Sequence, residues 1–246
     1  LTRFLLWERM GMRVQDGMNR IQSASYPGRG IVIGLTPNGK HFAQVYWIMG
    51  RSPSSRNRGF VQEDAFVKTD TVDKTQEVDP LTMYYPTKVL GTSHIVTNGD
   101  QTDTIFDALQ NGGTFESALM TRLFEPDGPN FTPRISGIVD LGEDTAYRLA
   151  VLKTVGGDER YCARHFFTYE TAIAGVGHCV TTYVDDGSPL PSFEGEPFAV
   201  PLVDELQETA DAYWDSLNED NRVSMLVKFI DRESGVSEQV IVNKYA

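Results

Sequence analysis

Residues 30–50 read GIVIGLTPNGKHFAQVYWIMG, two β-branched and aromatic runs, GIVIGL (30–35) and HFAQVYWIMG (41–50), on either side of TPNGK. Pro37 followed by Asn38-Gly39 is a reverse-turn signal, so the two runs form an antiparallel hairpin. RSPSSRNR (51–58) follows directly, placing three arginines among small polar residues on a loop at a sheet end. That concentration of positive charge stands out in a chain whose formal net charge is -12.

Outward from the hairpin, extended segments dominate. SHIVTNG (93–99) is a strand stopped by Asn98-Gly99, and TDTIFDALQNGG after it is helical, with Thr102 or Asp103 as the cap and Gly112-Gly113 as the end. Thr114 caps a second helix that sets Phe115, Leu119 and Leu123 on one side. Pro126, Gly128, Pro129 and Pro133 then rule out helix in the following loop. RISGIVDLG (134–142), TAYRLAVLKTV (145–155), ERYCARHFFTY (159–169) and CVTTYV (179–184) are strands, and GSPLPSFEGEPF (187–198) is a loop. A helix from about Val203 to Leu217 and two strands, VSMLVKFI and SEQVIVNKY, follow. The pattern predicts one α+β domain over 1–246 with mainly antiparallel sheets and a few helices packed on them. Residues 1–25 form an N-terminal arm or helix; Glu8 and the lack of a small-residue cleavage site argue against a signal peptide.

With 246 residues, 40% hydrophobic and 23% charged, the chain can bury a sizeable core and is not a disordered one. No run approaches the roughly 20 apolar residues that span a bilayer, so no membrane partner is expected. Cys162 and Cys179, without a secretory signal, point to a reduced, cytoplasmic protein. Four scattered histidines with no ligand spacing predict no metal site. An acidic chain has little use for a nucleic-acid backbone, but a local cluster can still collect a small anion.

Arg51, Arg56 and Arg58 read either as a solvated loop or as a phosphate pocket, the guanidinium fork with Ser and Asn donors favouring the pocket. NGDQTDT (98–104) is a strand-to-helix turn that can also hold an anion on free N–H groups. FEPDGPNFTPR (124–134) is an acidic loop whose prolines could fix a carboxylate where a proton must move. Tyr84 and Tyr85 in TMYYP suit the rim of a strand, and the His178-Cys179 dipeptide is weak evidence for a nucleophile pair. PGRGIVIG (27–34) is not a dinucleotide fingerprint, since its glycines precede the strand.

Taken together and in order, YPGRGIVIG, GRSPSSRNR, MYYPTKVLG, VTNGDQTDTI, FEPDGPNFTPRISGIV and FTYETAIAGVGHCVTTY are similar to the archaeal-type IMP cyclohydrolase family and its bacterial relatives across most of residues 26–184. The resemblance implies a four-layer α/β/β/α sandwich like that of the N-terminal-nucleophile hydrolases. It also implies ring closure of 5-formamidoimidazole-4-carboxamide ribotide to IMP with loss of water. Purine mononucleotides would be the partners, with no metal or other cofactor required, and a homo-oligomer is compatible. It carries the family's arginine onto Arg58, with Arg56 in competition and Arg51 beside it, the active-site tyrosine onto Tyr84, and the acidic residue, in proton transfer, onto Glu125. Arg29, Asn98, Thr102, Asp103 and Arg134 would line the nucleotide site. Two other readings stay open: an idle nucleotide-binding protein on the same scaffold, and an amide hydrolase using Cys179 with His178.

Overall fold

A computed structural model describes residues 2–63, 66–77 and 79–245. Among the described residues there are five α-helices: α1 (Thr2–Ser23), α2 (Pro53–Arg56), α3 (Gln101–Gln110), α4 (Phe115–Met120) and α5 (Leu206–Ser216). The strands are β1 (Gly30–Leu35), β2 (His41–Met49), β3 (Gly59–Glu63), β4 (Phe66–Asp70), β5 (Thr87–Leu90), β6 (Ser93–Thr97) and β7 (Arg134–Asp140). They continue with β8 (Tyr147–Val155), β9 (Asp158–Tyr169), β10 (Val176–Thr181), β11 (Phe198–Pro201), β12 (Arg222–Asp231) and β13 (Ser237–Asn243).

The hairpin forms as the turn residues require: β1 and β2 pair from Gly30↔Trp47 to Leu35↔Phe42, and Gly39 takes a φ of 72° that a side chain would resist. It sits at the centre of a six-stranded antiparallel sheet in the order β11-β10-β1-β2-β12-β13. A second antiparallel sheet runs β3-β4-β5-β6-β7-β8-β9. The alternation along β2 explains the stacking. Phe42, Tyr46 and Ile48 enter the core between the sheets, with Ile135, Val139 and Leu149 of the second sheet. Ala43, Val45, Trp47 and Met49 point the other way, onto Ile21 of α1 and Tyr213 of α5. Both faces of β2 are covered, which is why the strand reads as almost continuously apolar. Trp47 lies flat against β1: a Cβ on Gly30 would come within 2.0 Å of its ring, so only glycine fits there. On the outer face of the second sheet, Ile105 of α3 and Phe115, Ala118 and Leu119 of α4 cover Ile95, Ile138 and Ala150.

Several local expectations need correcting. The arginine stretch is not a plain loop: α2 is one helical turn, closed by a reciprocal Ser52–Ser55 capping box. The residue preceding α3 is Asp100, not Thr102 or Asp103, and its side chain makes no cap hydrogen bond. Thr114 does cap α4, but the helix stops at Met120 and Leu123 is 54% exposed rather than packed on its face. Strands β3, β4 and β5 carry no clear sequence signal, since they are short and mix polar with apolar residues, and β11 is only four residues long and ends in proline. No described helix is long and apolar enough to cross a membrane.

Candidate active site

Antiparallel pairing gathers the chemistry at one end of the sheets. Gly30 pairs with both Trp47 and Thr181, so the start of β1, the end of β2 and the end of β10 lie side by side. Arg29, Arg51 and Tyr183 stand just beyond those ends. In the second sheet Thr97 at the end of β6 pairs with Ser136 near the start of β7, bringing the loop 124–133 to the same place. The two sides meet where Arg29 Nη1 donates to Glu125 Oε2 at 3.2 Å.

A cavity of about 260 Å³ opens here, at the small end of ligand sites. Arg29, Arg51 and Arg58 contribute donors to its wall, and Asp127, Thr132 and Tyr183 contribute oxygens. Leu190 of the 187–198 loop closes part of it; its backbone N–H donates to Asn130 Oδ1 at 3.1 Å, tying that loop to the acidic one.

The three arginines of the 51–58 stretch have three different fates. Arg51 pairs with Asp186, donates to the Gly187 carbonyl at 3.2 Å and lies 4.8 Å over the Tyr26 ring. Arg56, expected beside the ligand, instead donates to the Gly50 carbonyl at 2.9 Å and to Asn221 Oδ1 at 3.3 Å, and is not on the cavity wall. Arg58 is 3% exposed and lines the cavity, with one long contact from Nη2 to the Met49 carbonyl at 3.4 Å. Its Nε and Nη1 are buried without any protein partner. Buried polar groups are almost always paired, so two guanidinium nitrogens left bare on a residue of the cavity wall are a signal for a ligand there.

Glu125 lies behind this wall, 2% exposed, and is not itself on the cavity surface. Its Oε2 accepts from Arg29 and its Oε1 from Asn98 Nδ2 at 3.4 Å. Burial pushes its carboxyl above the usual range, and the Arg29 and Arg134 charges pull the other way. Burial works against the charge on Arg29 too, but Glu125, Tyr84 and Tyr46 outweigh it and hold the guanidinium charged. Asn98 locks the layer: its Oδ1 accepts from Ile135 N–H and from Gln101 Nε2, each at 2.8 Å. Arg134 Nη1 donates to Gln101 Oε1 and Asp100 Oδ1, each at 2.7 Å. Gly99 makes room for this convergence, since a Cβ there would stand 2.7 Å from Arg134 Nη1 and 3.4 Å from Glu125 Oε1.

Tyr84 is buried with its hydroxyl 2.6 Å from that of Tyr46. Burial, then the Tyr84 neighbour, drives the Tyr46 phenol well above its ordinary range. Tyr85 turns away to donate to Glu63 at 2.8 Å. Thr102 and Asp103 do not reach the cavity. The Thr102 hydroxyl is 2.6 Å from that of Thr97, and Asp103 pairs at 2.6 Å with Lys88 of β5. Tyr26, Tyr46, Thr132 and Tyr183 carry no role that the sequence reading assigns; Tyr26 opens YPGRG and Tyr183 ends TTY, and nothing in their spacing links them.

Cys179 and His178 point to opposite faces of β10. Cys179 is fully buried in the outer core, where burial pushes its thiol up and makes it a poor nucleophile. His178 Nδ1 lies 2.6 Å from the Tyr147 hydroxyl, toward the other sheet. Adjacent residues on a strand diverge, which removes the paired nucleophile of the amide-hydrolase reading. Cys179→Ala will therefore leave turnover unchanged and cost about 1 kcal/mol in a urea unfolding curve; loss of activity without loss of fold would restore the thiol to the mechanism.

A family model described as IMP cyclohydrolase-like protein matches residues 26–234. The chain is 34% identical over 119 residues to the IMP cyclohydrolase of Methanopyrus kandleri, covering 47% of this chain and 59% of that protein. It is also 34% identical over 129 residues to the IMP cyclohydrolase of Methanococcus aeolicus, covering 50% and 61% respectively. The matched segments thus span about six tenths of those curated relatives.

Proposed function

The chain belongs to the IMP cyclohydrolase-like family, and from that premise we propose that it closes the ring of 5-formamidoimidazole-4-carboxamide ribotide to give IMP and water. The observation that carries this reading is Arg58, buried on the wall of a cavity with Nε and Nη1 unpartnered. A phosphate, or the oxygen that gains charge at the reacting formyl group, supplies the acceptors those nitrogens lack. The reading takes the chain as one domain of four α/β/β/α layers, in the manner of the N-terminal-nucleophile hydrolases. Its support is α1 and α5 outside one sheet and α3 and α4 outside the other.

Both reacting groups sit on one imidazole, so bringing them together costs little entropy. The protein has to hold their rotamers, stabilise the oxygen and move protons. Arg29 and Arg51 extend the donor wall, with Arg29 positioned by Glu125. Tyr84 acts through Tyr46, its hydrogen-bond partner behind Arg29. Asn98 and Arg134 fix the layer that orients Glu125.

The test is direct. Purified protein incubated with the formamido ribotide will release IMP, followed by absorbance or chromatography. Tight binding of IMP without turnover would replace the enzyme with a nucleotide-binding protein, and absence of both would discard the reading.

A further inference from the structure

The cavity wall carries a second set of groups that the arginines do not explain. Thr132 N–H donates to Asp127 Oδ1 at 2.6 Å, and the Thr132 hydroxyl donates to Asp127 Oδ2. The carboxylate oxygen is the acceptor of that bond, so the single hydroxyl proton of Thr132 is directed at Asp127. The Tyr183 hydroxyl is hydrogen-bonded to Thr132 Oγ1 and must then be the donor of that pair. Burial, the largest influence on it, keeps the Tyr183 phenol protonated, as a donor has to be. The result is a chain with one direction, Tyr183 to Thr132 to Asp127, whose Tyr183 oxygen keeps its lone pairs for the cavity.

Two further observations set this chain apart from ordinary loop packing. Thr132 is 1% exposed and Tyr183 4% exposed, yet both line the cavity with Asp127. The turn that holds Asp127 against Thr132 includes Phe131 at φ 43°, a left-handed conformation that a bulky residue adopts only under constraint. The other carboxylates nearby are engaged elsewhere: Glu125 lies behind Arg29, and Asp79 accepts from Leu81 N–H at 2.9 Å.

Resting on the cyclohydrolase reading, we propose that Tyr183, Thr132 and Asp127 form a proton relay whose open end takes the proton from the attacking carboxamide nitrogen. As the N–C bond forms, the nitrogen's proton passes to the Tyr183 oxygen, that of Tyr183 to Thr132, and that of Thr132 to Asp127. The formyl C=O pair moves onto oxygen, giving an alkoxide beside the guanidinium groups. In the second half the relay runs backwards and returns one proton to that oxygen. The formamido nitrogen's own proton passes to the departing hydroxyl as C=N forms and the C–O bond breaks, so that oxygen leaves as water and the relay stands reset. Tyr183 is the catalytic residue of the three; Thr132 and Asp127 act through it.

Thr132→Val, nearly the same shape without the hydroxyl, and Tyr183→Phe, which keeps the ring against Tyr26, test the relay. Each is expected to lower kcat about 100-fold with KM within about threefold, and Thr132→Ser to recover most of the loss relative to Thr132→Val. A purely structural hydroxyl would move KM or the melting temperature instead. Should Thr132→Val fold poorly, Tyr183→Phe decides alone. Wild-type kcat in Tyr183→Phe, or Thr132→Ser as slow as Thr132→Val, overturns the relay and leaves the cyclohydrolase reading standing. A wild-type chain that does not turn over the ribotide overturns both.

Discussion

Replacing Arg58 with methionine will make the ligand-free protein more stable and nearly unable to bind its ligand. In the empty cavity this guanidinium is 3% exposed, with Nε and Nη1 lacking any partner and Nη2 reaching only a carbonyl at 3.4 Å. Each buried, unmade hydrogen bond costs about 1–3 kcal/mol, and a charge makes it worse. Methionine fills similar space without charge and so relieves the cost of the two unmade hydrogen bonds. The nearby Glu125 charge offsets part of the cost, so a gain of about 1–3 kcal/mol in urea unfolding is expected.

Binding should move the opposite way. If the proposed function holds, two charge-assisted hydrogen bonds of about 1.5–3 kcal/mol each are forfeited, so calorimetric Kd for IMP should rise about 10²–10⁴-fold. A residue kept for packing would show the reverse signs, with lower stability and intact binding. Either of those results removes Arg58 from the site. Opposite shifts in the two measurements are the mark of a group held ready for a ligand.

Why Arg58 and not Arg56 could not be decided from the sequence is a matter of local geometry. The two residues are of one type and two positions apart, and the one-turn helix α2 ends between them at Asn57. Arg56 therefore folds back on Gly50 while Arg58 enters β3 facing inward. Tyr84 and Tyr85 split the same way, one buried against Tyr46 and one out to Glu63. The hairpin at 30–50 was legible because its turn and its two apolar faces are both written locally. Strands β3 to β5 were not, because pairing across them supplies what their composition lacks; β4 and β5 share a single register pair, Val67↔Thr87. The Asp127–Thr132–Tyr183 chain was illegible for another reason: its hydroxyl partners are 51 residues apart, and no periodicity encodes a contact of that kind. Thr102 looked like a cap because its residue type suits one, but Thr97 and the Gly99 carbonyl occupy its hydroxyl.

Glu125→Gln is expected to lower kcat about 10²–10³-fold with little change in KM, and to erase one pH limb in each of two measurements. Arg29 and Asn98 both donate to this side chain, so the form that positions Arg29 is the carboxylate. An amide presents N–H where an acceptor is required, and Arg29 loses both its counter-charge and its placement. Burial, opposed by the Arg29 and Arg134 charges, raises the Glu125 pKa above its reference of 4.5. Activity should accordingly climb with pH through a value above that reference, as the carboxylate forms. Stability runs the other way. The unfolded chain releases this proton near 4.5 while the folded chain still holds it. The folded state therefore binds more protons across that window, and Glu125's contribution declines as pH rises from the unfolded to the folded pKa, then stays level. Rate rising while stability falls over the same interval is a signature few groups can produce. In Glu125→Gln both limbs should vanish together; a variant that keeps the wild-type rate and both limbs would show that Arg29 is positioned without this carboxylate.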